Sequence, residues 1–218
     1  MNVLDVLEFV KPADIEARSF EIIERELGER RLDPVNEPVI KRVIHTSADF
    51  DYADNLVFSE AATQIGVQAL RAGCPIVTDT KMVAAGINKR VISRFGGRVY
   101  TYISDEDVAA EARERGLTRS AVSMERGAAL GEPAIFAVGN APTALVRLYE
   151  LLQSDEMPCR PALIIGVPVG FVNVVEAKEL ICGLDVPHIV ARGRKGGSNV
   201  AAAICNALLY LASSDVRE

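Results

Sequence analysis

Short apolar runs alternate with helical stretches through the last two thirds of the chain. Residues 75–78 (PIVT), 134–138 (AIFAV), 162–167 (ALIIGV) and 188–191 (HIVA) are continuous apolar or β-branched runs of strand length. A fifth run, 98–103 (RVYTYI), is rich in aromatic and β-branched residues. Between them lie helical patterns. One is short, at 81–87. Another opens at a capping box over 104–107 (SDED), runs to Arg115 and ends at Gly116. Others cover 119–130, 142–152 with Pro142 in its first turn, 174–182 and 198–211. Before Pro75 the pattern is helical: 15–27, then 34–45, where Val35, Val39, Ile40, Val43 and Ile44 recur at helical spacing, then 59–72, closed by Gly73.

Strands that read as unbroken apolar runs are buried on both faces, and strands followed by helices favour parallel pairing. The pattern therefore predicts an α/β fold: a flavodoxin-like three-layer α/β/α arrangement with a parallel five-stranded sheet and extra N-terminal helices. The pattern carries no strand order. No linker, repeat or low-complexity stretch divides residues 1–218, so one domain is expected.

Composition narrows the class. A net charge of −6 argues against a general nucleic-acid binder. The N-terminal twenty residues carry Asp5, Glu8, Lys11, Asp14, Glu16 and Arg18, so they read as neither a signal peptide nor a membrane span. Cys74, Cys159, Cys182 and Cys205 stand at wide spacings without a Cys-x-x-Cys pair, and with two histidines they do not form a zinc pattern. Four buried thiols in a reducing cytoplasm are expected.

In open α/β sheets ligands bind beyond the carboxyl ends of the strands. Three predicted loops there carry glycine and precede helices: 139–143 (GNAPT), 168–171 (PVGF) and 192–198 (RGRKGGS). Backbone N–H groups at helix starts favour anions, and the last loop adds Arg192, Arg194 and Lys195. Each loop taken alone is also an ordinary turn; together they describe a cradle for a ligand with several negative charges. No P-loop, dinucleotide fingerprint or nucleophile elbow occurs. His188 begins a strand and is expected to be structural. His45 closes a helix, where a histidine serves either as a favourable charge at the dipole's negative end or as a proton donor.

Several segments together resemble the precorrin-8X methylmutase family: 42–56 (RVIHTSADFDYADNL), 79–86 (DTKMVAAG), 118–120 (TRS), 139–145 (GNAPTAL), 167–171 (VPVGF) and 192–198, with 16–20 (EARSF) resembling the family's N-terminal helix. The resemblance spans residues 15–208. It implies a flavodoxin-like homodimer that shifts a methyl group between adjacent carbons of ring C of a corrinoid in cobalamin biosynthesis, ending at hydrogenobyrinate or its cobalt form. His45 matches the family's catalytic histidine, and Ser19 and Arg119 match positions lining the tetrapyrrole pocket. Lys81, Asn140, Thr143, Arg192, Arg194 and Ser198 extend the expected substrate-binding set. The run 46–55 is more similar to the cobalt-handling branch. An intramolecular rearrangement needs no cofactor or metal ligands from the protein, so any cobalt belongs to the substrate. Two other readings stay open: an enzyme of a phosphorylated or nucleotide ligand, and a corrinoid carrier without turnover.

Overall fold

The structure, a computed structural model, describes residues 7–154 and 157–214. Three helices come first: α1 (Ile15–Leu27), α2 (Glu37–Ser47) and the single turn α3 (Tyr52–Asn55). Strand β1 (Leu56–Phe58), helix α4 (Ala62–Arg71) and strand β2 (Ile76–Thr78) follow. Two short helices, α5 (Lys81–Gly86) and α6 (Lys89–Arg94), lead to β3 (Val99–Tyr100), α7 (Glu106–Glu114) and α8 (Arg119–Ala128). The remainder alternates: β4 (Ile135–Val138), α9 (Pro142–Gln153), β5 (Leu163–Gly166), α10 (Val174–Cys182), β6 (His188–Ala191) and α11 (Ser198–Ser214).

The sheet has six strands in the order β1-β6-β5-β4-β2-β3. The five strands expected from the pattern are parallel, in register through pairs such as Ile76 with Ile135 and Ile164 with His188. The sixth corrects the five-stranded, all-parallel expectation: β1 lies antiparallel on β6, with Leu56 opposite Ala191. Alternation along each strand divides the core. Ile76, Ile135, Ile165 and Ile189 pack under α1, α2, α4, α5 and α11, whereas Val77, Phe136, Ile164 and Val190 pack under α8, α9 and α10.

Smaller departures have local causes. β3 is two residues long instead of 98–103, because its partner, β2, offers three residues; Tyr100, its last residue, stacks on Tyr102 just beyond it at 6.2 Å. The capping box over 104–107 does not form. Helix α7 starts at Glu106 after Asp105, with no side-chain cap bond. The helix expected over 34–45 starts at Glu37, since Asp33 accepts from Val35 N and Asn36 Nδ2 and folds 33–36 into a turn. The four cysteines are free, but only Cys205 is fully buried, so four buried thiols is an overcount. His188 is buried, with Nδ1 3.0 Å from the Val186 carbonyl oxygen, in keeping with a structural role. No helix among the described residues is long and apolar enough to cross a membrane.

Candidate functional site

Because β2 to β6 run parallel, the loops that follow them share one edge of the sheet. Helix α2 also ends there. The loop after it carries Asp49 and Asp51, and both reach Lys195 Nζ, in the loop after β6, at 2.6 Å. The Lys195 ammonium is thereby held well above the ordinary lysine range, and its bond to Asp49 depresses that carboxyl.

The predicted site residues gather in three groups along this edge. His45 and Ser19 share the first. They line a cavity of about 300 Å³ whose walls are Ile22, Ile23, Glu26, Ile44, Ala48 and Phe50. The imidazole is exposed and stacks on Phe20, 5.3 Å between centroids and 15° between planes. Neither of its nitrogens has a hydrogen-bond partner among the described residues. Arg42, one turn earlier, lies 4.9 Å from the Phe20 centroid and is tied to Glu16 at 2.7 Å. Helix α2 closes with Ala48 in the left-handed conformation, which turns the chain away directly after the His45 turn. A larger cavity, about 590 Å³, between the end of α1 and the start of α2 contains none of the predicted site residues.

The second group is built around the junction of β2 and β4. Asp79, fully buried, follows β2. Its Oδ1 accepts from Gly139 N at 2.9 Å, and its Oδ2 accepts from Asn140 N and Ala141 N at 2.8 Å each. Burial pushes the Asp79 carboxyl up while the three N–H groups pull the other way. This corrects the expectation of an open anion cradle: the first N–H groups of the 139–143 loop already hold an internal carboxylate. Thr80 caps α5 by accepting from Val83 N and lies 3.0 Å from the Ser198 hydroxyl. A Cβ on Gly139 would stand 2.7 Å from Ser198 Cα, so only glycine lets these two loops meet. These contacts bring together the starts of α5 and α11 and the 139–143 loop, the segments that carry Lys81, Ser198 and Asn140. Thr118, which caps α8, bonds Thr143 Oγ1 at 2.8 Å and sets Arg119 beside the start of α9.

The third group is the 192–197 loop. Arg192 pairs with Glu179 at 3.2 Å, and Arg194 lies over the Phe171 ring at 5.6 Å. Two of the loop's three cations, Arg192 and Lys195, therefore already face carboxylates, which reduces the charge expected of this loop. Beneath it is a residue that sequence reasoning missed. Lys178, buried on α10, donates from Nζ to the carbonyls of Gly193 and Lys195 at 2.8 Å each, and burial holds its pKa down at about 8.

The three groups share an edge but not a face. Ser19 and His45 belong to helices packed on the α11 side, whereas Arg119 and Thr143 start helices on the opposite side. Among the described residues no cluster of His, Cys, Asp and Glu forms a metal site.

Comparison with known proteins adds a lineage. The profile of the family described as precorrin-8X methylmutase matches residues 14–211. A cobalt-precorrin-8 methylmutase of Salmonella typhimurium is 48% identical over 206 residues, which is 92% of this chain and 95% of the relative. One from Priestia megaterium is 44% identical over 207 residues, 95% of this chain and 91% of the relative. A crystal structure of precorrin-8x methyl mutase from Thermus thermophilus superposes with a TM-score of 0.84 at 38% identity, covering 92% of this chain and 98% of that one.

Proposed function

The chain belongs to the precorrin-8X methylmutase family, and from that premise we propose that it shifts a methyl group around ring C of a precorrin-8 substrate, with His45 as the proton donor. The observation that carries the role of His45 is its setting. Its ring is held face-on by Phe20, its nitrogens are unclaimed, and it opens with Ser19 into a cavity walled mostly by apolar side chains, with Glu26 the one acid on its lining among the described residues. The C-terminal end of α2 favours a positive charge there. A methyl shift within one molecule asks the protein to hold one conformer and to stabilise charge as it develops. Substrate and product are isomers, so a proton that His45 gives to the ring is balanced by one lost from it.

The macrocycle's carboxylates are proposed to meet Arg119, Thr143, Lys81, Asn140, Ser198, Arg192 and Arg194 along the same edge. The cobalt-bearing substrate is the form proposed, in line with the names of the Salmonella and Priestia relatives. Cobalt enters within the substrate, and no cofactor of the protein is part of this reading. A nucleotide or phosphorylated ligand is disfavoured because Asp79 already fills the anion position at the start of α9. The parallel strands, in the order β3-β2-β4-β5-β6, support a flavodoxin-like reading of the sheet. A homodimer and a cytoplasmic setting complete the reading. Exposed apolar side chains near the edge, Phe171 at 83% and Met82 at 69%, support the first, and four free thiols support the second. A monomeric mass in solution would remove the dimer.

The test is single-turnover spectroscopy of wild type, His45→Ala and His45→Asn on cobalt-charged and metal-free precorrin-8. His45→Ala is expected to bind substrate and convert it about a hundred- to ten-thousand-fold more slowly. His45→Asn, which keeps a hydrogen bond without acid–base capacity, separates positioning from proton transfer. Conversion by His45→Ala at the wild-type rate takes His45 out of the mechanism.

A further inference from the structure

Lys178 lies on the buried stripe of α10 formed by Val174, Ala177 and Ile181, with no solvent exposure. Withdrawing an ammonium from water costs several kcal/mol even after relaxation, and buried charges are ordinarily paired. Among the described residues no carboxylate pairs with this one; its two bonds go to the carbonyls of Gly193 and Lys195. Those carbonyls belong to the loop that carries Arg192, Arg194 and Lys195. Gly196 in the same loop packs so closely on the Val167 carbonyl that no side chain fits there. The loop is thus fixed from below by Lys178 and from the side by the end of β5. Arg192 and Lys195 face Glu179 and Asp49 with Asp51, so Lys178 and Arg194 are the cations here that no carboxylate faces.

We propose that Lys178 is a positioning residue for substrate: it sets the shape of the 192–197 loop from beneath and supplies an uncompensated positive charge that draws substrate carboxylates to it. The inference rests on the reading that this loop meets the macrocycle's carboxylates. With the Gly193 and Lys195 carbonyls turned onto the ammonium, Arg194 is left as the loop's cation that no carboxylate faces. Lys178 itself does not touch the ligand.

The experiment compares full-length wild type, Lys178→Met, Lys178→Gln and Arg194→Ala. Methionine fills a similar apolar volume without charge, and such replacements of buried ions are often tolerated. Hydrogenobyrinate affinity is titrated at low and high salt, and KM and kcat are measured on precorrin-8. Lys178→Met is expected to raise KM and Kd about tenfold, or about 1.4 kcal/mol, with kcat at saturation within about twofold. Its Kd should also depend less on salt than that of wild type. A purely structural lysine would lower thermal stability without changing the salt slope. Wild-type KM and salt slope in folded Lys178→Met overturn the proposal; if that variant does not fold, Lys178→Gln is held to the same criteria. Arg194→Ala separates the two levels. Should it leave Kd unchanged, the loop does not meet the ligand and the underlying reading fails. Should it raise Kd while Lys178→Met does not, only the role of Lys178 fails.

Discussion

Arg119 occupies the first position of α8 with its guanidinium exposed and, among the described residues, no carboxylate to pair with. An unpaired fork beside the start of α9 suits a bidentate contact to a substrate carboxylate. Arg119→Ala is expected to weaken hydrogenobyrinate binding by about 1.5–3 kcal/mol. Arg119→Lys should recover only part, because an ammonium lacks the planar fork. Calorimetric titration of the three proteins gives the values; equal affinities would place Arg119 outside the site. Single residues were unevenly legible. His45 stood out because it closes a helical pattern before a polar run. Lys178 did not, since a lone lysine on a helix reads as solvated. The signal was present in its spacing: with Val174, Ala177 and Ile181 it falls on one stripe of a 3.6-residue period. Asp79 gave less warning, because nothing in the chain says which N–H groups will surround an acid at a strand end.

At the scale of elements, Glu125 joins three helices. From α8 it accepts from Arg115, beyond α7, at 2.9 Å and from Arg147 on α9 at 2.6 Å. Partial burial works to raise the Glu125 carboxyl, but the bonds from Arg115 and Arg147 outweigh it and hold the group below its usual value. A depressed carboxyl contributes stability that is full above the unfolded pKa, about 4.3 for glutamate, and that is lost as pH falls through the folded value. Glu125→Gln is therefore expected to cost about 1–2 kcal/mol at neutral pH, between the values for exposed and buried pairs. The difference from wild type should shrink below about pH 4. Urea unfolding at neutral and acid pH checks this, and a gap independent of pH would contradict it. Long periodic helices and unbroken apolar strands were readable to within a few residues, α1, α10 and β6 to the residue. The missed elements are short: α3, β1 and α6. A three-residue edge strand such as β1 is defined by its pairing with β6 rather than by any run of its own. The capping box failed because Ser104 lies outside the turn that starts α7 at Asp105.

For the whole molecule, a parallel sheet covered on both faces followed from apolar runs, but strand order did not, because periodicity says nothing about lateral neighbours. The site shows the same limit. Candidate residues can be named one by one from the sequence, whereas their division between the two faces is a property of the layers. The anion loops were over-read for a related reason: glycine before a helix start signals available N–H groups, and only the fold reveals that Asp79 takes those of the 139–143 loop.

That carboxylate also bears on motion. In a doubly wound protein ligands bind in the crevice where strand order reverses. Here Asp79 rivets the end of β2 to the loop after β4 through three amides, a joint the protein makes with its own groups. Any breathing that admits a bulky ring must then come from the periphery, from α1 and α2 carrying Ser19 and His45 and from the Lys195 link to Asp49 and Asp51. Hydrogen exchange resolves the two regimes. The amides of Gly139, Asn140 and Ala141 are expected to be equally slow with and without corrinoid, and those around residues 45–51 to slow when it binds. Protection of the 139–141 amides that appears only with ligand would mean that the rivet is loose until the substrate arrives.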